Sequence, residues 1–180
     1  TYGDAVPLMP TLLEDYARNP IGSLVTIRCH PWHRGRALLI GDAAHAIVPF
    51  YGQGMNAGFE DCTVLDACID EHGDDWARVL DSFTRRRRDD ADAIADLARV
   101  NFIEMRDRVG SRLFLLRKKV EKKLHAWFPG RYLPLYNRVT FSRIPYAEAR
   151  RRAARQDRTV LVIASLLALA LVAIVVVLLI

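Results

Sequence analysis

The residues best suited to chemistry lie in one stretch, ALLIGDAAHAIVPFYGQGMNAGFED, which covers residues 37–61. Asp42 follows an apolar run directly, and a carboxylate at the end of a strand accepts hydrogen bonds from the hydroxyl groups of a sugar-like chain. Gly52 and Gly54 permit unusual backbone angles and leave the neighbouring amides uncovered. The stretch therefore predicts a surface where a flat, polar ligand can approach the backbone closely.

A helix is expected to begin at Met55-Asn56, just after the glycines. The first turn of a helix offers free amides and a partial positive charge, which suit an anion or an electron-rich carbonyl. Asn56 can instead cap this helix as a purely structural device, and the residues alone leave that alternative open. Gly41 ends the preceding apolar run, and Pro49 stiffens the chain between the two halves of the stretch.

Patterns along the chain predict the elements that must position these residues. A strand is expected over residues 23–29, an alternating segment that contains β-branched residues. A second strand is expected over residues 36–40, a short apolar run typical of a strand buried on both faces. Helices are expected over 8–18, 54–71, 75–109, 111–127 and from 147 onward. We expect the long helix over 75–109 to be interrupted or bent near its arginine run, and residues 131–146 to be irregular.

Apolar spacing predicts which faces of these helices are buried. The inward residues are expected to be Leu12, Leu13 and Tyr16 in the first helix, and Phe59, Cys62, Leu65 and Ile69 in the helix over 54–71, with Asp61 on its polar side. The run Arg85 to Arg88 is offset by two following aspartates. A solvated helix face is the favoured use of this run, and a phosphate site is the alternative.

Residues 160–180 carry no charge and are apolar apart from Ser165. About 20 apolar residues cross the hydrocarbon layer as a helix, so this run predicts a single carboxy-terminal membrane span rather than a buried core helix. Six arginines between residues 143 and 158 flank the run on one side. By the positive-inside tendency, we expect the remainder of the chain to face the cytoplasm, with these arginines among anionic headgroups.

Composition excludes several other classes of function. The net charge is +5, but most of the excess lies next to the apolar run, and no zinc-finger spacing or interleaving of basic with aromatic residues indicates a nucleic-acid site. The three cysteines, Cys29, Cys62 and Cys68, form no disulfide framework and fit a reducing compartment. The five histidines form no metal-ligand spacing with them, so no metal site is predicted.

The segments GDAAH, then Pro49, then GQGMNAGFED together resemble the second flavin-binding motif of the FAD-dependent aromatic hydroxylases. The segments AIADL, NFIEMR, LHA and PLYNRVTFSRIPY resemble more narrowly the branch of that family that hydroxylates L-kynurenine. The resemblance runs from about Arg36 to Glu148, and residues 1–35 match more loosely. It implies FAD and NADPH as cofactors, and L-kynurenine and dioxygen as substrates.

The resemblance also implies roles for individual residues. Gly41 and Asp42 would bind the ribityl chain, and Pro49, Gly52 and Gly54 would shape the flavin loop, with Met55 and Asn56 presenting amides to the pyrimidine end of the ring. Phe50 and Tyr51 would lie between flavin and substrate, and Asn101 and Tyr136 would contact the substrate. The family usually has Phe at position 51, so the hydroxyl group adds polarity to the pocket. No catalytic nucleophile is expected, and His45 is expected to be a structural hydrogen-bonding residue.

Helical spacing draws attention to Asn101 independently, because it interrupts an apolar stripe formed by Ile94, Leu97, Ala98 and Met105. A buried amide must find hydrogen-bond partners, which can belong to a ligand or to another core group. Tyr136 follows Leu133-Pro134-Leu135, and its sequence context alone favours packing over recognition.

The family's first motif, a GxGxxG turn, is absent from these residues, and the sequence begins with Thr rather than Met. We therefore expect a piece of a longer protein, with the amino-terminal FAD-binding half elsewhere, and no turnover by the chain alone. The predicted fold class is an α/β fragment of a class A flavoprotein monooxygenase, mostly helical, with a transmembrane helix. The predicted divisions are the end of a substrate-domain sheet (1–35), the second FAD motif and its helix (36–72), a substrate-capping helical region (73–146), and a basic segment with the span (147–180).

Two other functions stay open at this point. One is hydroxylation of a different aromatic amine or acid by the same chemistry. The other is a membrane-anchored remnant without catalytic activity, which binds a partner or has no function.

Overall fold

The chain is mostly helical in the computed structural model, which describes residues 3–179. The helices are Leu12–Arg18 (α1), Asp42–His45 (α2), Gly54–His72 (α3), Trp76–Ile103 (α4), Arg112–Trp127 (α5), Leu135–Phe141 (α6) and Tyr146–Leu179 (α7). Short 3-10 turns cover Val6–Leu8 and Pro49–Tyr51, and a π-helix covers Glu104–Arg108. Two-residue strands, His33–Arg34 (β1) and Ala37–Leu38 (β2), pair antiparallel with His33 opposite Leu38.

The predicted strand over residues 23–29 is wrong, and the one over 36–40 is reduced to β2. A strand needs a neighbouring ladder of backbone hydrogen bonds, and the described residues supply none for this segment. Its backbone instead contacts the chain around α2, where the Ile27 amide donates to the Ala46 carbonyl at 2.9 Å and the Cys29 amide donates to the Ala44 carbonyl at 3.1 Å.

The helices α3 and α4 form a hairpin whose ends follow local sequence signals. α3 ends at Gly73, which has a φ of 56° that suits glycine and few other residues. α4 begins after Asp75, whose carboxylate accepts a hydrogen bond from the Arg78 amide at 3.2 Å. The predicted helices in this region and the predicted stop at Gly73 are confirmed.

The predicted bend near the arginine run is wrong, because α4 continues through Arg85–Arg88 without interruption. Ion pairs with Asp81 one turn earlier and with Glu71 on α3 accommodate the charges of Arg85 and Arg86. The helix changes instead at Glu104–Arg108, where it widens to π geometry. Such π segments often occur at functional sites.

The predicted buried face of α1 is also wrong, and that of α3 is confirmed only for Leu65 and Ile69, which are partly buried against a core cluster. Leu13 and Tyr16 of α1 are exposed. In α3, Phe59 and Cys62 are exposed, whereas Asp61 is completely buried together with Ala57 and Cys68. α3 turns this face inward because Asp61 has an ionic partner on α4, which apolar periodicity does not register.

Residues 135–141 form α6, although the sequence suggested irregular structure there. Pro134 precedes the first helical residue, a position where its missing amide costs nothing. α6 packs against α7.

The core consists of two hydrophobic clusters along α4. One packs Val79 and Phe83 against Trp32 and Ala44, beneath the β-hairpin and α2. The other packs Ile94 and Leu97 against the Pro49–Tyr51 turn, α6 and the first turns of α7. Residue 87 lies on α4 between Phe83 of the first cluster and Ile94 of the second.

That residue is Arg87, which is 2% exposed and satisfies its charge within the protein. Its Nε atom donates to Asp61 Oδ1 at 2.7 Å, and its terminal nitrogens donate to Glu60 Oε2 at 3.0 Å and to the Ala57 carbonyl at 3.1 Å. The prediction of a fully solvated arginine face is therefore wrong for this residue. A buried ion pair is retained only when its hydrogen bonds compensate for desolvation, as they do here.

Asp61 in turn holds the polypeptide around α2. Its Oδ2 atom accepts hydrogen bonds from His45 Nε2 at 2.6 Å and from the Gly41 amide at 3.0 Å. Burial raises the pKa of Asp61, but the hydrogen bonds from His45, Arg87 and Gly41 outweigh burial and hold that pKa below its usual value. The carboxylate therefore stays ionised and fixes the turn at Gly41.

α7 is one continuous helix from Tyr146 to Leu179. Its stretch Tyr146–Leu178 is the one helix among residues 3–179 that is long and apolar enough to cross a membrane, and none of its most apolar segment is buried within the protein. A core helix would be covered by other elements, so this exposure agrees with a candidate span.

Replacing Arg87 with Met is expected to lower the free energy of unfolding by about 3–5 kcal/mol, because it leaves the buried Asp61 carboxylate without its main partner. The measurement is thermal unfolding in detergent micelles, followed by circular dichroism. Arg86→Met removes an exposed arginine from the next position of the same helix and should cost far less. Equal losses in the two variants would contradict a special role for the buried pair.

Asp61 is also expected to make stability depend on pH in the acid range. Because its folded-state pKa lies below the unfolded value of about 3.9, its contribution is present above that pH and disappears as pH falls through the folded pKa. The difference in unfolding temperature between the wild type and Asp61→Asn should therefore shrink below pH about 4.

Asp66→Asn removes an exposed carboxylate from the same helix and controls for the loss of one negative charge. A wild-type to Asp61→Asn difference that stays constant as the solution is acidified would show that Asp61 is not ionised in the folded chain.

Candidate functional site

The predicted flavin loop forms an open surface between α2 and α3. Asp42 begins α2, and its side chain is exposed. Gly41 and Gly52 have φ angles of 59° and 67°, a region that side-chain-bearing residues rarely adopt. A Cβ atom built at Gly41, Gly52 or Gly54 meets nothing within 4 Å, so the space above these backbone atoms is free for a ligand.

The start of α3 adds hydrogen-bond donors to this surface. The first intrahelical bond runs from the Ala57 amide to the Gln53 carbonyl at 2.9 Å, so the amides of residues 54–56 precede the helical ladder. No side chain caps this terminus. Met55 is 73% exposed and Asn56 is also exposed. Both side chains are therefore accessible at the same helix terminus as the free amides.

Asn56 is not the cap of this helix. α3 begins at Gly54 after Gln53, which places Asn56 inside the first turn. Its Nδ2 atom donates to Gln53 Oε1 at 2.9 Å, and the buried Gln53 also lies within 3.5 Å of the Tyr146 hydroxyl. The alternative that Asn56 serves only as the N-cap of α3 is therefore excluded.

A cavity of about 310 Å³ lies beside the Pro49–Tyr51 turn and is lined in part by Tyr51. Tyr51, Asn101 and Tyr136 all line it, although they come from three different elements. Tyr51 and Tyr136 stack with ring centroids 5.6 Å apart. The volume is at the lower end of the range of about 300–1,000 Å³ that is typical of small-molecule sites.

Asn101 joins this cavity to the turn. Its Nδ2 atom donates to the Phe50 carbonyl at 2.6 Å, so the NH2 group of the amide has a partner within the protein. Within residues 3–179 no protein donor contacts its Oδ1 atom, so that oxygen can accept a hydrogen bond from a ligand. Asn101 thus both positions the turn and presents an acceptor.

Phe50 is placed differently from the other predicted substrate residues. Its ring packs against Phe102 with centroids 4.4 Å apart, and the Arg106 guanidinium lies 5.0 Å above Phe102. The side chain therefore stabilises the joint between the turn and α4, and it does not line the cavity.

The phenol of Tyr51 is 8% exposed and sits in the cavity wall. Burial raises the pKa of Tyr51 far above its usual value, with further contributions from Glu104 and Tyr136. The group is therefore neutral at physiological pH. The polarity that it adds, relative to the phenylalanine expected in the family, is that of a hydroxyl and not of a charge.

Sequence reasoning missed the charged part of the cavity lining, which consists of Glu104, Arg117, Lys118, Glu121 and Asp157. Glu104 lies three residues after Asn101 and shares its helix face, so the helical period was a usable signal. The other four residues come from α5 and α7, and their approach to α4 depends on how the helices pack.

Comparison with known proteins shows which proteins the chain is similar to. Residues 17–98 match the FAD binding domain family. The kynurenine 3-monooxygenase of Flavobacterium psychrophilum is 50% identical over 147 residues, which cover 81% of this chain and 33% of that protein. The enzymes of the same name from Myxococcus xanthus and Anopheles gambiae are 51% and 49% identical, each over 87% of this chain, and 34% and 33% of their lengths are covered.

The chain spans about a third of the length of the curated relatives that it matches. The matched family segment contains the whole flavin loop and ends within α4. Residues 17–98 are therefore similar to the FAD binding domain family, and the chain is similar over most of its length to the kynurenine 3-monooxygenases.

Proposed function

We propose that the chain is the carboxy-terminal part of a class A, FAD- and NADPH-dependent monooxygenase that hydroxylates L-kynurenine to 3-hydroxykynurenine. The observation that carries the proposal is the position of the Pro49–Tyr51 turn. Gly52 and the free amides that begin α3 directly follow the turn, and Tyr51 of the turn lines a cavity together with Asn101. A redox ring and an aromatic substrate would meet across that turn. The relatives' shared name supports the choice of substrate.

The open surface fits the flavin part of FAD. Asp42 would accept hydrogen bonds from the ribityl hydroxyls, and the amides of residues 54–56 would donate to the carbonyl groups of the pyrimidine ring. Bound FAD would supply the redox chemistry that inserts one oxygen atom of dioxygen, using electrons from NADPH. The ADP half of FAD would be held by residues outside this chain, since no GxGxxG turn occurs here.

The cavity fits a zwitterionic aromatic amino acid. The stacked Tyr51 and Tyr136 rings offer a surface for an aromatic ring, and Asn101 Oδ1 offers an acceptor for an amino group. Charges of both signs line the same cavity, including Glu104 and Lys118. These walls would orient the substrate ring toward the flavin and exclude water from it.

The proposed enzyme is held at a membrane by α7, with the remainder of the chain facing the cytoplasm. The arginines on the near side of the span support this orientation, because basic residues favour the cytoplasmic side. Arg150, Arg151 and Arg152 are exposed, and they lie three turns or less before the uncharged run.

Replacing Asp42 with Ala in the complete gene product should lower the amount of bound FAD several-fold, because the ribityl hydroxyls lose their acceptor. Flavin is measured by absorbance relative to protein after desalting. Asp66→Ala, an exposed aspartate on α3, should leave the ratio unchanged. An unchanged ratio in Asp42→Ala would contradict the flavin assignment.

Replacing Asn101 with Ala should raise the KM for L-kynurenine by about 3- to 10-fold, the value of one ordinary hydrogen bond, while the bound-flavin spectrum stays intact. The assay follows NADPH consumption together with 3-hydroxykynurenine formation. Arg99→Ala, an exposed neighbour on α4, should keep the wild-type KM.

Loss of flavin from Asn101→Ala would mean that the residue only positions the Pro49–Tyr51 turn. NADPH consumption that yields peroxide without a hydroxylated product in the wild-type protein would count against L-kynurenine as the substrate.

A further inference from the structure

α5 carries an apolar stripe that the proposed reaction does not use. Leu113, Leu116, Val120, Leu124 and Trp127 follow one another at intervals of three and four residues and so share one helix face. Leu113 is 76% exposed and Leu116 is 57% exposed. Among the described residues nothing covers this stripe fully, although a helix face of this composition is normally buried.

The stripe faces the beginning of the candidate membrane span. Leu113, Leu116 and Val120 of α5 form an open groove with Val160, Leu161 and Ala164 of α7. Arg117 of α5 donates to Asp157 Oδ2 of α7 at 3.0 Å, about one turn before the uncharged run begins. α5 therefore lies beside α7 at the level where α7 would enter the hydrocarbon layer.

Basic residues border the stripe. Arg112, Lys119 and Lys123 lie along one edge by helical spacing, and Lys118, Lys119, Lys122 and Lys123 are all exposed. Trp127 ends the helix and is 69% exposed, followed by the half-exposed Phe128. An apolar stripe with lysines beside it and an aromatic residue at its end is typical of a helix that lies in the membrane interface.

We propose that α5 is a second membrane contact, which lies along the bilayer surface with its apolar stripe among the acyl chains and its lysines among anionic headgroups. The proposal rests on α7 crossing the membrane, because continuity with that span places the groove at the interface. The charge of α5 supports the proposal as well, because its exposed lysines would be attracted to the anionic lipids of the cytoplasmic leaflet. A protein partner for the stripe would have to enter a groove that opens directly onto the span.

A fluorescent probe at position 116 tests the proposal in the complete gene product, reconstituted in lipid nanodiscs. Leu116→Cys is labelled with an environment-sensitive NBD group in a Cys62→Ser background, which removes the exposed native thiol. Leu115→Cys is the matched control, because this neighbour is 46% exposed and is turned by about 100° from Leu116 around the helix. The unsubstituted Cys62→Ser protein gives the labelling background.

The expected result is a blue-shifted emission at position 116 and several-fold stronger quenching there than at position 115 by lipids with a shallow doxyl group. Water-like emission at both positions would overturn the proposal. A blue shift at 116 without lipid quenching would also overturn it, because it would show that protein, from this chain or a second copy, covers the stripe.

The role of charge is tested with the same probe. In nanodiscs that contain phosphatidylglycerol, Lys119→Gln combined with Lys123→Gln should reduce the quenching at position 116 several-fold, and in purely phosphatidylcholine nanodiscs the two proteins should differ little. Equal quenching of both proteins in both lipids would overturn the part of the proposal that concerns anionic headgroups. These readouts do not depend on flavin or turnover, so they are separate from tests of the proposed reaction.

Discussion

The buried pair of Arg87 and Asp61 is the constraint on which the remaining structure depends. Two charges removed from water stabilise a fold only when each finds the other with good geometry, and here the carboxylate also binds His45 and the Gly41 amide. The pair thereby fixes the strand-to-helix turn that precedes the candidate flavin surface. Arg87 also approaches Asp90 within 3.7 Å, and Asp90 accepts a hydrogen bond from the first turn of α7 at Ala147. One ionic cluster therefore ties the candidate cofactor surface, the helical hairpin and the candidate membrane helix together.

Local sequence signals located the longer helices but not their packing partners. Glycines placed the end of α3 correctly, and the uncharged run over residues 160–180 predicted the exposed part of α7. The same reasoning placed Asp61 on a polar face, because a carboxylate without a visible partner belongs in water. Its partner, Arg87, lies 26 residues away on another helix. A pairing between residues so far apart produces no periodic pattern in the sequence. The predicted strand over 23–29 failed for a related reason, since strand formation depends on a neighbour that the described residues do not provide.

The candidate site divides in the same way between local and packed features. The open flavin loop is encoded in consecutive residues, so its glycines and Asp42 could be recognised without a structure. Asn101 could be noticed because an amide interrupts an apolar stripe, yet its bond to the Phe50 carbonyl depends on the approach of α4 to the turn. The charged lining from α5 and α7 was inaccessible to sequence reasoning, because it arises where three helices and a π segment converge.

The uninterrupted course of α7 has a mechanical consequence. Ala153 and Asp157 line the cavity, and the uncharged run begins three residues after Asp157 on the same helix. Its 34 residues form a hydrogen-bonded rod about 50 Å long, which has no hinge between the cavity wall and the far end. Where this rod crosses a bilayer, a tilt that accommodates membrane thickness also rotates one wall of the cavity. In that case the tilt of α7 would couple lipid composition to the shape of the cavity.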